Sequence, residues 1–279
     1  MQLDLFRHLW GYVGTAGEPF ATVESALPTI RDGGYAGVEA PLSFFPDPER
    51  TAASISDAGL DLIHMAIVFG ESVDDHVHRL EQELDRAASM PHRFVNCHGG
   101  RDAWSDDDAF RFYDRALRAA DTRGVDIVFE THRGRPTYNP WTTDRIIARF
   151  PELQLTADLS HWVVVCERII DDQLDVIERV ADRTRHIHAR VGFDNGPQVN
   201  DPRAPEHAAT LAAHERWWDT IWRAQERRGI AATTMTPEFG PPTYQQTEPG
   251  TLRPLADLAA VVDWMSARQR DRFGRRSPG

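Results

Sequence analysis

Four consecutive apolar runs from residue 125 onward carry, at or near their ends, side chains that could bind a cation. VDIVFE closes on Glu130, LQLTAD closes on Asp158, RHIHARV carries His186 and His188, and TPEF carries Glu238. A carboxylate at the end of an apolar run is costly to bury unless it is paired or bound to metal. Three carboxylates and an imidazole suit one divalent ion, namely Mn²⁺, Mg²⁺, Co²⁺ or Zn²⁺. With no thiolate in the set, a structural zinc site is not expected. Any one of these residues could equally be an ion-pair partner; four in succession are harder to dismiss. His186 and His188 have the same side-chain parity, and spacing alone does not choose between them.

Further polar groups lie close to these positions in sequence. His132 is two residues beyond Glu130 and shares its parity, so it too could face a pocket. His98 ends another apolar run, and His161 and Trp162 follow Asp158. Arg190 could hold substrate oxygens or serve as an ion-pair partner. Trp10, Trp104, Trp141 and Trp162 fall in the loops beyond the runs, where an indole could stack on the C–H face of a polyol or simply pack at a rim. The stretch GFDNGPQVNDPRAP, which contains Arg203, is long for a connection, and such loops usually serve recognition.

Eight apolar runs supply candidate strands: LDLF from Leu3, AGVEA from Ala36, LDLIHMAIV from Leu60, RFVNCH from Arg93, and then VDIVFE, LQLTAD, RHIHARV and IAATTMTPEF. Helical patterns separate them. Val73, Val77, Leu80 and Leu84 share one helix face, opened by the capping pair Ser72 and Asp75. Ser105 and Asp108 open another, with Phe112, Ala116 and Ala120 on its face. A tryptophan-bearing helix spans about residues 207–228, its rings directed to the core or a subunit contact. The last helix is expected to carry Pro254 in its first turn, with Leu255, Leu258, Val262 and Met265 inward. Alternation of this kind predicts an α/β fold, a (β/α)8 TIM barrel, over residues 1–269, followed by a disordered tail over residues 270–279. An open doubly wound sheet would call for a glycine-rich turn of G-x-G-x-x-G spacing after the first strand, and HLWGYVGTAGEP lacks it.

Composition excludes several kinds of chemistry. All 31 basic residues are arginine, so Schiff-base catalysis and a P-loop lysine are ruled out. The formal net charge of −12 opposes a nucleic-acid or anionic-membrane partner. Two cysteines, no signal-peptide pattern and no long apolar stretch point to a cytoplasmic protein.

Taken together, GGYAGVEA, VNCHGG, VFETHRG, LTADLSHW, RHIHAR and TPEFG resemble the xylose isomerase-like TIM barrel superfamily, which includes sugar phosphate isomerases and epimerases. The likeness runs from the second strand to the eighth. It implies Glu130, Asp158, His188 and Glu238 as ligands of one divalent metal, with His188 chosen over His186. Glu130 and Glu238 are then also the catalytic acid and base, exchanging a proton next to a carbonyl through a metal-stabilised enediolate. The implied substrate is a small sugar, polyol-ketone or hydroxy-keto acid, with His161 on one of its oxygens and Arg203 on a carboxylate; Arg190, His132, His98 and Trp162 are the further candidates for substrate contact from their positions. A dehydratase of a cyclic keto-polyol would use the same site. An AP endonuclease-type phosphodiesterase fits less well, because the D-x-H pair that its third metal needs after the seventh strand is missing. The likeness also allows a homodimer.

Overall fold

The computed structural model describes residues 1–14 and 18–276. Eight strands form a closed, wholly parallel barrel in sequence order. They are β1 Gln2–His8, β2 Gly37–Ala40, β3 Asp61–Ile67, β4 Phe94–His98, β5 Ile127–Glu130, β6 Leu155–Ala157, β7 Thr184–His188 and β8 Ala232–Thr236. Every expected apolar run contributes one. The flanking helices are α1 Val23–Asp32, α2 Pro48–Asp57, α3 Val73–Ala88, α4 Asp106–Arg123, α5 Pro140–Arg149, α6 Ser160–Cys166, α7 Leu174–Ala181, α8 Ala208–Arg227 and α9 Leu258–Gly274.

Local chemistry sets the helix starts. Ser72 caps α3, its side chain accepting from Asp75 N while Asp75 returns a bond to the Ser72 backbone. Ser105 caps α4 by accepting from Asp108 N and donating its hydroxyl to the Asp108 carboxylate, and Gly124 ends that helix in the left-handed region. The face of α3 on Val73, Val77, Leu80 and Leu84 is buried, as the spacing predicts. Trp217, Trp218 and Trp222 of α8 are completely buried in the core of this chain.

Two expectations about the C-terminal part need correction. The last helix begins at Leu258, not around Pro254, because the Asp257 side chain caps it by accepting from Ala260 N. Pro254 lies outside it in a bridge to Thr247, and Leu255 is half exposed. Nor does a loose tail begin at residue 270: α9 continues to Gly274. Arg270 there donates to the carbonyls of Gly33 and Gly34, and Arg272 pairs with Asp219. Polar composition suggested disorder, but those arginines find fixed acceptors on neighbouring elements. Residues 277–279 lie outside the described residues.

The barrel interior is layered. Phe6, Ile63, Phe94 and Val128 make an apolar floor, separate from the larger core between sheet and helices. Gly37 allows β2 to close over it: a Cβ there would stand 2.2 Å from the Asp61 carbonyl oxygen and 2.6 Å from the Phe6 ring. The His186 ring stands edge-on to Phe6 and Phe94, with centroids 6.3 and 5.6 Å apart, so the interior turns polar directly above the floor.

Candidate metal centre and active site

The first polar layer is organised by Glu39 at the end of β2, a fully buried carboxylate. His186 Nε2 stands 3.2 Å from Glu39 Oε2, and His188 Nε2 stands 3.0 Å from Glu39 Oε1. Thr236 donates its hydroxyl to Glu39 as well, and Asn96 donates at 3.0 Å. Burial would raise the Glu39 carboxyl, but His188 and His186 outweigh it and hold it well below the usual carboxylate range. With Nε2 turned to Glu39, Nδ1 of His188 points up to the mouth, 2.9 Å from Glu238 Oε2 and 3.3 Å from Glu130 Oε2. His186 stays a layer deeper, also bonded to Thr234.

Glu130, Asp158, His188 and Glu238 form the second layer, each offering a ligand atom within 4.8 Å of the others, and all four are buried. Arg190 donates to Asp158 and stands 3.1 Å from Glu238 Oε2. Its guanidinium also approaches His161 Nε2 at 3.0 Å. Ser160 binds the other Asp158 oxygen through its backbone N–H and its hydroxyl. Burial raises Asp158 to about 6 despite Arg190, with the charges of Glu130 and Glu238 adding to the rise. Glu238 goes the opposite way: burial would raise it, but Arg190 and His188 bring it down to about 2. Burial would lower His188, yet Glu238, Glu39 and Glu130 lift it well above its ordinary value.

The four residues fit a divalent ion on two grounds. Three buried carboxylates converge on one point and carry more negative charge than the single guanidinium of Arg190 balances. Glu130 Oε1, His188 Nδ1 and Glu238 Oε2 are also buried without a well-directed hydrogen bond, close as they lie to one another. Buried polar atoms left so call for an unseen partner, and a cation supplies it. Mixed oxygen and nitrogen donors of this kind suit a borderline or hard divalent metal.

Above this layer opens a cavity of about 290 Å³. One wall is polar, with Glu130, Glu238, Arg190, His98 and His132; the other is apolar, with Trp10, Phe44, Met65 and Ile67. His98 is in contact with Glu130, and its ring lies 5.2 Å from that of His132. Burial lowers His132 to about 3, against the pull of Glu130, so its ring is neutral near pH 7. Burial likewise lowers His161, whose ring is tilted 50° against that of His132, with centroids 3.9 Å apart.

Of the expected substrate contacts, His98, His132 and Arg190 line this cavity, and His161 touches Arg190 just beneath it. Trp162 does not reach it: the ring is fully buried and its Nε1 donates to Thr137 O at 2.9 Å, so the indole packs inside the wall. Arg203 is also misplaced by the sequence reading; it lies in an exposed turn where it pairs with Asp201. The loop carrying it instead sends in Gln198, which exchanges two hydrogen bonds with the backbone of Gly240 beside Glu238.

Several site residues escaped the sequence reading. Glu39 stands one residue before the end of AGVEA, much as Glu130 closes VDIVFE, so the signal was present. His8 ends β1 beyond the run LDLF; Trp10 N donates to its Nδ1, which turns Nε2 toward Glu238 at 3.4 Å and Met65 Sδ at 3.1 Å. Tyr244 lies in an irregular loop and carried no sequence signal; its ring packs edge-on to Trp10, centroids 5.1 Å apart. Trp10 in turn needs Gly240, where a Cβ would come 2.3 Å from the indole.

Comparison with known proteins agrees with this fold. The protein resembles the crystal structure of the probable 3-DHS dehydratase AsbF from Bacillus anthracis, at 12% identity and a TM-score of 0.63, over 99% of this chain and 100% of that one. It resembles an L-ribulose 3-epimerase at 16% identity and a TM-score of 0.59, over all of both chains. The IOLI protein with a bound zinc atom is similar at 12% identity and a TM-score of 0.63, over 97% of this chain and 96% of that one. No curated protein matches by sequence. At such identities the structures speak for the fold, while the family itself is shown by a sequence match over residues 27–207: the chain belongs to the xylose isomerase-like TIM barrel family.

Proposed function

We propose that the protein is a metal-dependent isomerase or epimerase of a small sugar-like ketone or hydroxy-keto acid. The observation that carries this reading is the buried cluster of Glu130, Asp158, His188 and Glu238, two of whose carboxylates, Glu130 on β5 and Glu238 just beyond β8, line the cavity above it from strand ends that are not neighbours. A divalent ion held by Glu130, Asp158, His188 and Glu238 would supply the positive charge that stabilises an enediolate.

The chain's own groups do the rest. Glu130 on β5 and Glu238 just beyond β8 reach the cavity floor from separate directions, so one can remove the proton next to the carbonyl and the other return it. Arg190 stays charged, because Asp158 and Glu238 outweigh its burial, and it can hold a substrate oxygen. His132 and His161 remain neutral, and each offers a hydrogen bond without adding charge. Trp10, Phe44 and Met65 exclude water from one side of the bound substrate.

A screen of ketoses and hydroxy-keto acids in D₂O, with added Mn²⁺, Mg²⁺, Co²⁺ or Zn²⁺, tests the proposal. Deuterium at one carbon next to the carbonyl, with the carbon skeleton intact, is the expected result. An unsaturated product would move the reading to a dehydratase. Absence of exchange across the panel with every metal would count against both.

A further inference from the structure

The loop after β5 carries two cations, Arg133 and Arg135, that no carboxylate among the described residues approaches within ion-pair distance. Arg133 and Arg135 are both half-buried, and among the described residues neither forms an ion pair. Arg135 donates to the carbonyls of Val68 and Gly100, at 3.3 and 3.0 Å, both through Nη1. Arg133 lies 4.9 Å over the ring of Tyr244, whose other contacts include Arg190 at the same distance. Arg101 approaches the same place but is offset by Glu71 at 3.2 Å.

These arginines line a cleft of about 450 Å³ next to the catalytic cavity. His132 and Arg135 belong to the walls of both, so the two spaces adjoin. The backbone is open at Gly134, which borders the cleft with nothing within 4 Å of a Cβ built on it. Guanidinium groups fixed on carbonyls and rings, with nitrogens to spare, are suited to carboxylate and phosphate oxygens.

We propose that this cleft is an anion subsite, in which Arg133 and Arg135 bind a phosphate or carboxylate at the far end of a substrate whose other end lies over Glu130 and Glu238. It deepens the isomerase reading by giving the substrate an anionic terminus, and it moves that role from Arg203 to the β5 loop. In a chain of net charge −12, two cations at the mouth without an ion-pair partner would also attract such a substrate.

The test uses metal-stripped full-length protein, so that no anion can bind through a metal. Inorganic phosphate and glycerate are titrated separately by calorimetry at low ionic strength. Saturable binding of either anion is expected, weakened about tenfold or more by Arg133→Gln and by Arg135→Gln, as for a lost hydrogen bond to a charged group. Arg203→Gln should bind as the wild type does. Phosphate binding would point to a phosphorylated substrate, glycerate binding to a sugar acid. Because Arg135 also ties two backbone carbonyls, Arg133→Gln decides the matter if the other variant loses its fold. No saturable binding of either anion, or unchanged binding by Arg133→Gln, overturns the proposal. Arginine-dependent binding in a protein that never exchanges deuterium would keep the subsite and remove the isomerase reading instead.

Discussion

The two halves of the barrel mouth are built from different chemistry. Strands β5 to β8 and the residues just after them deliver Glu130, Asp158, His188, Arg190 and Glu238. Strands β1 to β3 and their loops deliver Trp10, Phe44, Met65 and Ile67, and they place their one buried mouth acid, Glu39, beneath the ligands, facing away from the cavity. The charged half is suited to bond making and breaking; the apolar half is suited to shape and to the exclusion of water. Damage to the first should therefore abolish turnover, while damage to the second should alter which substrate is accepted.

The largest effect is expected from the two carboxylates proposed to exchange the proton. Glu130→Gln and Glu238→Gln should each lower deuterium exchange by roughly 10²–10⁴-fold, the range for loss of a general acid or base. Exchange at near wild-type rate in both variants would break the assignment of chemistry to the charged half.

Glu39 tests whether that half depends on the layer below it. Its carboxylate fixes which His188 nitrogen faces the mouth. Glu39→Gln should weaken metal affinity by about 10–100-fold, as changes to groups that orient a ligand histidine do. Chelator competition would measure it, and circular dichroism would check that the fold survives.

Metal affinity should also depend steeply on pH. His188 is held protonated above its ordinary value, so metal binding near pH 7 must displace its proton. Asp158, raised to about 6, binds a second proton as pH falls through that value. The affinity should therefore fall with decreasing pH, and more steeply below about pH 6 than above it. A pH-independent affinity between pH 5 and 8, roughly the range histidine titration spans, would show that these groups are not the ligands.

On the apolar half, Met65→Ala should raise KM by about tenfold, the scale for losing a few apolar contacts, with metal affinity unchanged. Lost metal binding in that variant would show that the two halves are not separable. The smallest effect is expected at Arg203, which sits outside both halves and pairs with Asp201; Arg203→Gln should leave turnover within about twofold, as a surface pair contributes little.

The architecture, and the clustering of Glu130, Asp158, His188 and Glu238, were readable because each depends on a local pattern. Apolar runs of strand length alternated with capped helical faces, and acids closing those runs stood out against the cost of burial. What the sequence did not reveal was depth and direction. Trp162 follows Asp158 closely, yet it begins a helix and its ring turns into the wall. Arg203 sits in a loop of suggestive length, but its nearest acid is two residues away and claims it. Tyr244 and Arg133 meet only through the folded loops after β8 and β5, a contact that no spacing encodes. The last helix was misjudged at both ends for a similar reason: its start is set by the Asp257 cap and its end by acceptors on distant elements.

The central claim is that Glu130, Asp158, His188 and Glu238 hold one divalent ion. Metal analysis of the purified protein, after loading with Mn²⁺ or Zn²⁺ and removal of excess ion, tests it most directly. The account predicts one ion per chain in the wild type and little or none in His188→Ala or Glu238→Ala, each shown to be folded. Metal below one equivalent in the wild type, or an equal load in the folded variants, would contradict it.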